Sequence, residues 1–250
     1  DWITMIDYLE YCALQALCYI EYANFDNQAA LNTNLTSDGF KQGGLGAGVT
    51  NLAWDRWTAF NGNNPIVQTY WTAEHNIGNG STNGDHYELG NYNTDGSNLN
   101  TYPAVYRGIL NFFGDIWTFI RDVVIINKDK DYNYVYILKK GVNHADVTKD
   151  NVNEKCYLIG CQANTNNFIT EFDFQRGVYF IPNKVGSNKK ADYNWKRGND
   201  GQDTDKAVRV LLLGGSADDG SGAGSGHFHS DWGRSDYSAD VGFFTTVKLD

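Results

Sequence analysis

Two histidines near the C-terminal end, His227 and His229, stand one residue apart in the run Gly226-His227-Phe228-His229, with Asp231 and Asp236 following. On an extended strand residues i and i+2 share a face, so both imidazoles are expected on one side. Two His and a carboxylate could hold a transition metal, or form a base and the group that orients it. No nucleophile motif accompanies them and no convincing third ligand follows. A His/Asp metal-dependent enzyme is therefore the weakest reading, and no cofactor or metal is assigned.

Other residues invite chemistry and fail on spacing. Gly43-Gly44-Leu45-Gly46-Ala47-Gly48 looks like a phosphate loop, but no apolar strand precedes it, so it reads as a turn. Asn91-Tyr92-Asn93-Thr94-Asp95-Gly96 echoes the start of a calcium loop. Asn91 replaces the first Asp and Tyr102 stands where a bidentate Glu is needed, leaving an Asx-turn loop. Glu74, His75, Asp85 and His86 lack the i, i+4 spacing of a helical metal pair. Cys12 and Cys18 lie six apart in a predicted helix and point in different directions, and no CxxC occurs. Buried free thiols are expected, with a bridge between Cys156 and Cys161 across a tight bend left open.

The histidines belong to residues 216–240, a stretch made mostly of Ser, Gly, Ala, Asp, His and Tyr. It is flanked by the apolar runs Val208-Arg209-Val210-Leu211-Leu212-Leu213 and Val241-Gly242-Phe243-Phe244, which read as strands. The arrangement predicts a surface displayed on a stiff frame. Upstream, Trp2, Ile6, Leu9, Ala13, Leu17 and Ile20 recur at helical spacing, predicting a scaffold helix over about residues 5–23 with Thr4 and Asp7 at its start. Residues 106–127 contain Ile116, Thr118 and Ile120 alternating with Trp117, Phe119 and Arg121, a strand with bulky residues on both faces. Further strands are expected over 132–139, 157–159 and 177–182. The fold class is α+β: one or two early helices, mostly antiparallel strands and long loops, in a single domain spanning 1–250. Insertions are expected at about 26–103 and 183–205.

With 250 residues there is ample material for one core. The net charge of −10 should repel a phosphate backbone, so nucleic acid is disfavoured as a partner. No apolar run approaches the roughly 20 residues that span a bilayer, so direct membrane insertion is not expected. The chain opens at Asp1 rather than Met and shows no signal peptide, as expected of a mature or trimmed fragment.

Gly114-Asp115-Ile116-Trp117-Thr118-Phe119, Leu213-Gly214-Gly215-Ser216-Ala217, Ala223-Gly224 and Val241-Gly242-Phe243-Phe244 occur in order along the chain. Together with the early helix, this set resembles the formylglycine-generating-enzyme-like branch of the C-type lectin fold. The branch's catalytic members use cysteines shortly after Gly-Gly-Ser, and no cysteine occurs here beyond Cys161. The Arg and Trp expected around Gly-Gly-Ser are Leu213 and Ala217, and the closing Arg is Phe244. The chain thus looks like the non-catalytic relatives, above all the variable proteins of diversity-generating retroelements, found as phage tail receptor-binding proteins and surface-displayed proteins. Gly46-Ala47-Gly48-Val49-Thr50-Asn51-Leu52 and Tyr106-Arg107-Gly108-Ile109 also look like phage tail and retroelement-target sequences.

The resemblance implies adenine mutagenesis of Asn-type codons. Independently, Asn is abundant up to Asn199 and absent afterwards, although Gly, Ser and Asp continue. That is the trace such diversification would leave; chance in a short window is the alternative. The candidate variable, ligand-binding positions are Asp218, Asp219, Gly222, His227, His229, Asp231, Asp236, Tyr237, Ser238 and Asp240. Trp232 cannot arise from an Asn codon with its third base kept, and joins them as an anchor or a contact of another origin. Phe228, Gly214, Gly215, Gly224 and Gly242 belong to the frame. The expectation is a non-enzymatic display protein, on a virion tail or a cell surface, that binds a protein or glycan receptor. A homo-oligomer is compatible with it. The alternative is a structural virion protein whose segment packs on a neighbouring subunit.

Overall fold

The computed structural model describes residues 2–26, 105–107, 109–110, 112–113, 116–127, 133–187, 192–196, 208–215, 219, 222–237 and 241–248. The glycine run at 43–48, the calcium-like loop at 91–96 and the residues Glu74, His75, Asp85 and His86 lie outside them, as do Asp218, Ser238 and Asp240.

The chain begins with strand β1 (Trp2–Met5), helix α1 (Tyr8–Tyr22), and the short strands β2 (Val105–Tyr106) and β3 (Ile109–Leu110). β4 (Trp117–Asn127) and β5 (Asn133–Leu138) lead through a 3₁₀ turn (His144–Asp146) and helix α2 (Val152–Lys155) to β6 (Cys156–Gln162). β7 (Asn167–Gln175), β8 (Tyr179–Gly186), β9 (Tyr193–Trp195) and β10 (Val208–Gly214) follow. The end is formed by β11 (Gly224–His229), β12 (Val241–Gly242) and β13 (Thr245–Lys248).

The main sheet runs in the order β6-β5-β4-β10-β11-β9-β7-β8, with β12 also beside β4. Its ladders are antiparallel except for β11 with β9 and β12 with β4. The sheet curls until its edge strands approach, and Ala163 N, just past β6, donates to Pro182 O in β8 at 2.8 Å. The α+β class and mostly antiparallel sheet agree with the expectation from sequence.

Helix α1 packs inside the curl. Its cap is Asp7, whose side chain accepts from Glu10 N while Glu10 reaches back to Asp7 N, a complete capping box. The start is therefore three residues later than Thr4 would place it, because Trp2–Met5 is taken up by pairing with β13. The face is also corrected. Tyr8, Tyr11, Cys12, Gln15, Cys18 and Tyr19 are buried, whereas Leu9, Leu17 and Ile20 of the expected apolar face are exposed, Ile20 at 77%. The aromatic and thiol stripe wins because it meets Ile120, Leu211, Leu213 and Phe228 on the sheet's inner face. Tyr8 Oη donates to Phe180 O, and Asp122 Oδ1 accepts from Tyr8 N at 2.8 Å, fixing the helix to both sides of the curl.

The outer face of β4 and β5 is covered separately: Val124, Ile126 and Tyr136 pack under Val147, Val152 and Cys156 of the 140–156 connection. Cys12, Cys18, Cys156 and Cys161 are all free thiols. Cys156 lies opposite Leu138 and Cys161 opposite Tyr134 on one continuous strand, so no tight bend brings them together.

Candidate functional site

β10 and β11 form the centre of the C-terminal frame, and β10 is buried along its whole length. The chain leaves β10 through Gly214 and Gly215, with φ of 94° and 76°, a left-handed conformation that favours glycine. A Cβ on Gly215 would come within 2.8 Å of both Ala223 Cβ and His227 Nδ1, so a glycine is required by contact as well as by backbone.

The pleat of β11 sorts its residues. Phe228 lies opposite Leu213 on the α1 side, and His229 lies opposite Leu212 on the other. Under α1, Gly226 leaves room for Asp192, whose Oδ2 accepts from Tyr19 Oη at 2.6 Å and from Gly226 N at 2.8 Å. Gln15 Nε2 donates to Tyr19 Oη at 2.9 Å. Burial pushes the Asp192 carboxyl up from 3.8 to about 7, against the two hydrogen bonds that favour its charged form.

On the opposite face His227 and His229 enter an aromatic layer. Their ring centroids lie 4.5 Å and 4.9 Å from that of Trp117. Tyr193 lies 5.9 Å from His227, and Trp195 lies 5.8 Å from His229. All four ring nitrogens are buried and lack a hydrogen-bond partner. Burial holds His229 down at about 3; burial and the neighbouring His229 hold His227 well below the ordinary value. Both imidazoles are neutral at pH 7.

This corrects the expected placement of two candidates. Neither is displayed: His227 is 1% exposed because β11 is an interior strand between β10 and β9, and Gly222, just before β11, is buried against Tyr193. His229 is partly exposed at the residue level with its nitrogens covered. Asp219 is partly exposed.

The connector after β11 is displayed and held. Trp232 O accepts from Val210 N at 2.9 Å, and Asp231 O accepts from Arg209 Nη1 at 2.8 Å. Gly233 N donates to Asp236 Oδ2 at 2.9 Å and Asp236 N returns to Gly233 O at 3.2 Å, closing a turn. Arg234 Nη1 reaches His144 O, Ala145 O and Val147 O at 2.7, 2.9 and 3.1 Å. Asp231, Trp232 and Asp236 are half-buried along this path, and Tyr237 at its end is 93% exposed. Trp195 and Phe243 are also exposed. Among the described residues no group of three or more His, Cys, Asp or Glu is placed to hold a metal ion.

Sequence reasoning missed Tyr193, Trp195, Asp192 and Arg234. The alternation Asp192-Tyr193-Asn194-Trp195 carried a period-2 signal for β9, masked by the charged residues around it. The reach of Arg234 to the 3₁₀ turn has no local signal.

Comparison with protein-family models, with curated proteins and with solved structures finds no match to this chain.

Proposed function

We propose that the chain is a non-enzymatic ligand-binding display protein with a C-type lectin fold, whose binding face is built on the connector between β11 and β12. The observation that carries this reading is the contrast within 230–237. Its backbone is tied to β10 and the Arg234 side chain ties it to the 3₁₀ turn, yet it ends on Tyr237, almost wholly exposed. A large apolar ring left in water on a fixed backbone is costly for folding and useful for recognition, since little conformational entropy remains to be lost on binding. Asp231, Trp232, Asp236 and Tyr237 are the described candidate residues that suit contact, with Asp219 beside them in exposure and Trp195 as a further ring. The loss of Asn after Asn199 supports codon diversification as the source of the segment's composition.

The ligand is a receptor on a target cell, protein or glycan, and the chain sits on a virion tail or a cell surface. Arrays of glycans and of cell-surface proteins, probed with the full chain and with Tyr237→Ala, test this. Binding lost in the variant at unchanged melting temperature is expected. Equal binding by both proteins removes the assignment.

A further inference from the structure

Helix α1 is apolar on two sides. Its inner stripe packs on the sheet, and its outward arc carries Leu9, Ala13, Ala16, Leu17 and Ile20. At about 3.6 residues per turn these five share an arc of about 100°, and no polar residue interrupts it. Leu9, Leu17 and Ile20 are 47%, 48% and 77% exposed, and none of the five joins the core beneath the helix. A surface helix with one buried face is polar outward, whereas a helix that is apolar all round is covered on both sides. The connector after β11 lies across the sheet from α1, with Trp232 against Trp117 and Leu212, so ligand display there gives the outward stripe no role.

The order of the residues selects what covers it. Leu9, Ala13, Ala16 and Ile20 are spaced by four, three and four, a series that reads the same from either end. Two copies related by a two-fold axis and laid antiparallel set Leu9 of one copy against Ile20 of the other, and Ala13 of one against Ala16 of the other. Each contact then occurs twice, as an isologous interface requires. The two alanines at the middle let the helix axes approach to about 8 Å, and the larger side chains at the ends close over them.

Charge agrees with the antiparallel arrangement. The outward arc carries none, and the acidic residues beside it are engaged in their own chain. Glu10 accepts from Asp7 N at 3.0 Å, and Glu21 accepts from Arg107 Nη2 at 3.0 Å. Glu10 and Glu21 stand on the same flank of the stripe, one near each end. Antiparallel pairing therefore brings the Glu21–Arg107 end of one helix beside Glu10 of the other. Arg107, whose side chain is 41% exposed, then serves a second carboxylate. A parallel pair would instead set Glu10 against Glu10.

We propose that the outward stripe of α1 is a self-association surface, through which two copies of this chain join as an antiparallel helix pair and leave both connectors free. From Leu9 to Ile20 the stripe is about 16 Å long, so the pair buries less than the roughly 800 Å² per partner of a standard interface. The dimer is accordingly weak and reversible, dissociating in the micromolar range. This holds whether or not the connector binds a ligand.

Sedimentation equilibrium of the full chain between about 1 and about 200 μM tests it, and the apparent mass should rise from one copy toward two. Leu9→Lys and Ile20→Glu, each alone, should weaken association about tenfold or more at unchanged melting temperature, since each buries an unpaired charge. Combined in one chain, the two substitutions oppose unlike charges at both ends of the antiparallel pair, and association should return. A single-copy mass at every concentration overturns the proposal. So does a dimer that neither single substitution weakens, or a double variant that stays monomeric. A melting temperature lowered by several degrees in the dilute single variants would show the stripe to be covered within one chain, which also overturns it.

Discussion

The His227 imidazole meets the Trp117 indole edge-on, ring centroids 4.5 Å apart, with neither imidazole nitrogen hydrogen-bonded. This contact divides the C-terminal segment. Everything from Gly222 to Phe228 is interior, as is Ser230, and the residues presented outward fall between Asp231 and Tyr237. A composition that looks uniformly like a surface is therefore divided between interior and outward positions.

The frame has a pH dependence whose parts oppose one another. Asp192, raised from 3.8 to about 7, contributes stability that is full below 3.8 and is lost as pH rises through 7. Asp122, raised to about 6, acts in the same direction. His227 and His229, both lowered, contribute stability that is present above 6.5 and is lost as pH falls toward about 3 for His229. Between pH 4 and 6.5 the slopes partly cancel. Asp192→Asn should uncover the histidine slope, stability then rising with pH by at most about 1.4 kcal/mol per unit for each ring. Urea denaturation across that range checks the sign, which should reverse when His227 and His229 are both replaced by Phe.

Gly226 is required by close approach. A Cβ there would run into Tyr19 Oη and Asp192 Oδ2 and stand 2.6 Å from Phe172 Cζ. Gly226→Ala should cost about 1–3 kcal/mol by overpacking, or more if the Tyr19–Asp192 bond breaks. Thermal unfolding of the variant gives the number, and a melting temperature equal to wild type would refute the packing.

Helix α1 offers a paired test of which face is inside. Tyr11→Ala, at a fully buried ring, should cost about 3–5 kcal/mol, whereas Leu17→Gln on the exposed face should stay within about 0.5 kcal/mol. Denaturant midpoints for the two variants report this directly. The reverse order would mean that the helical stripe read from sequence was the buried one after all.

Arg234 ties the connector to the carbonyls of His144 and Ala145 in the 3₁₀ turn and of Val147 just past it. On an exposed side chain these bonds are worth about 1 kcal/mol together, so Arg234→Ala should change global stability little. Local order is where it should show. Hydrogen exchange of 231–237 should accelerate while β10 stays protected, and ligand binding should weaken through the entropy of a looser connector.

Much of the architecture was legible where local pattern and burial agree. The alternation about Trp117 to Arg121 gave β4, and the apolar run from Val208 gave β10, since a strand buried on both faces reads as continuous hydrophobicity. α1 was legible as a helix and illegible as to its face. Two apolar stripes compete on it, and the winner is set by Phe228, Leu211 and Leu213, far away in sequence. β1 was hidden for the same reason, its partner β13 being at the other end of the chain. At the site, Gly214 and Gly215 were expected in the frame from the Gly-Gly-Ser motif of the resemblance. The depth of His227 was not, because polar residues on an interior strand resemble loop residues until the neighbouring strands are known.

The central claim is that the exposed connector is a diversified binding face. Sequencing the DNA around the gene, together with the codons for residues 210–245 across independent isolates, tests it most directly. The account predicts a nearby reverse transcriptase and a second copy of those codons differing at adenines. Variation should fall on outward positions such as Asp231, Asp236 and Tyr237, with Gly214, Gly215, Gly224, Gly226 and Phe228 constant. Absence of the second copy, with substitutions scattered evenly over frame and connector, would contradict it.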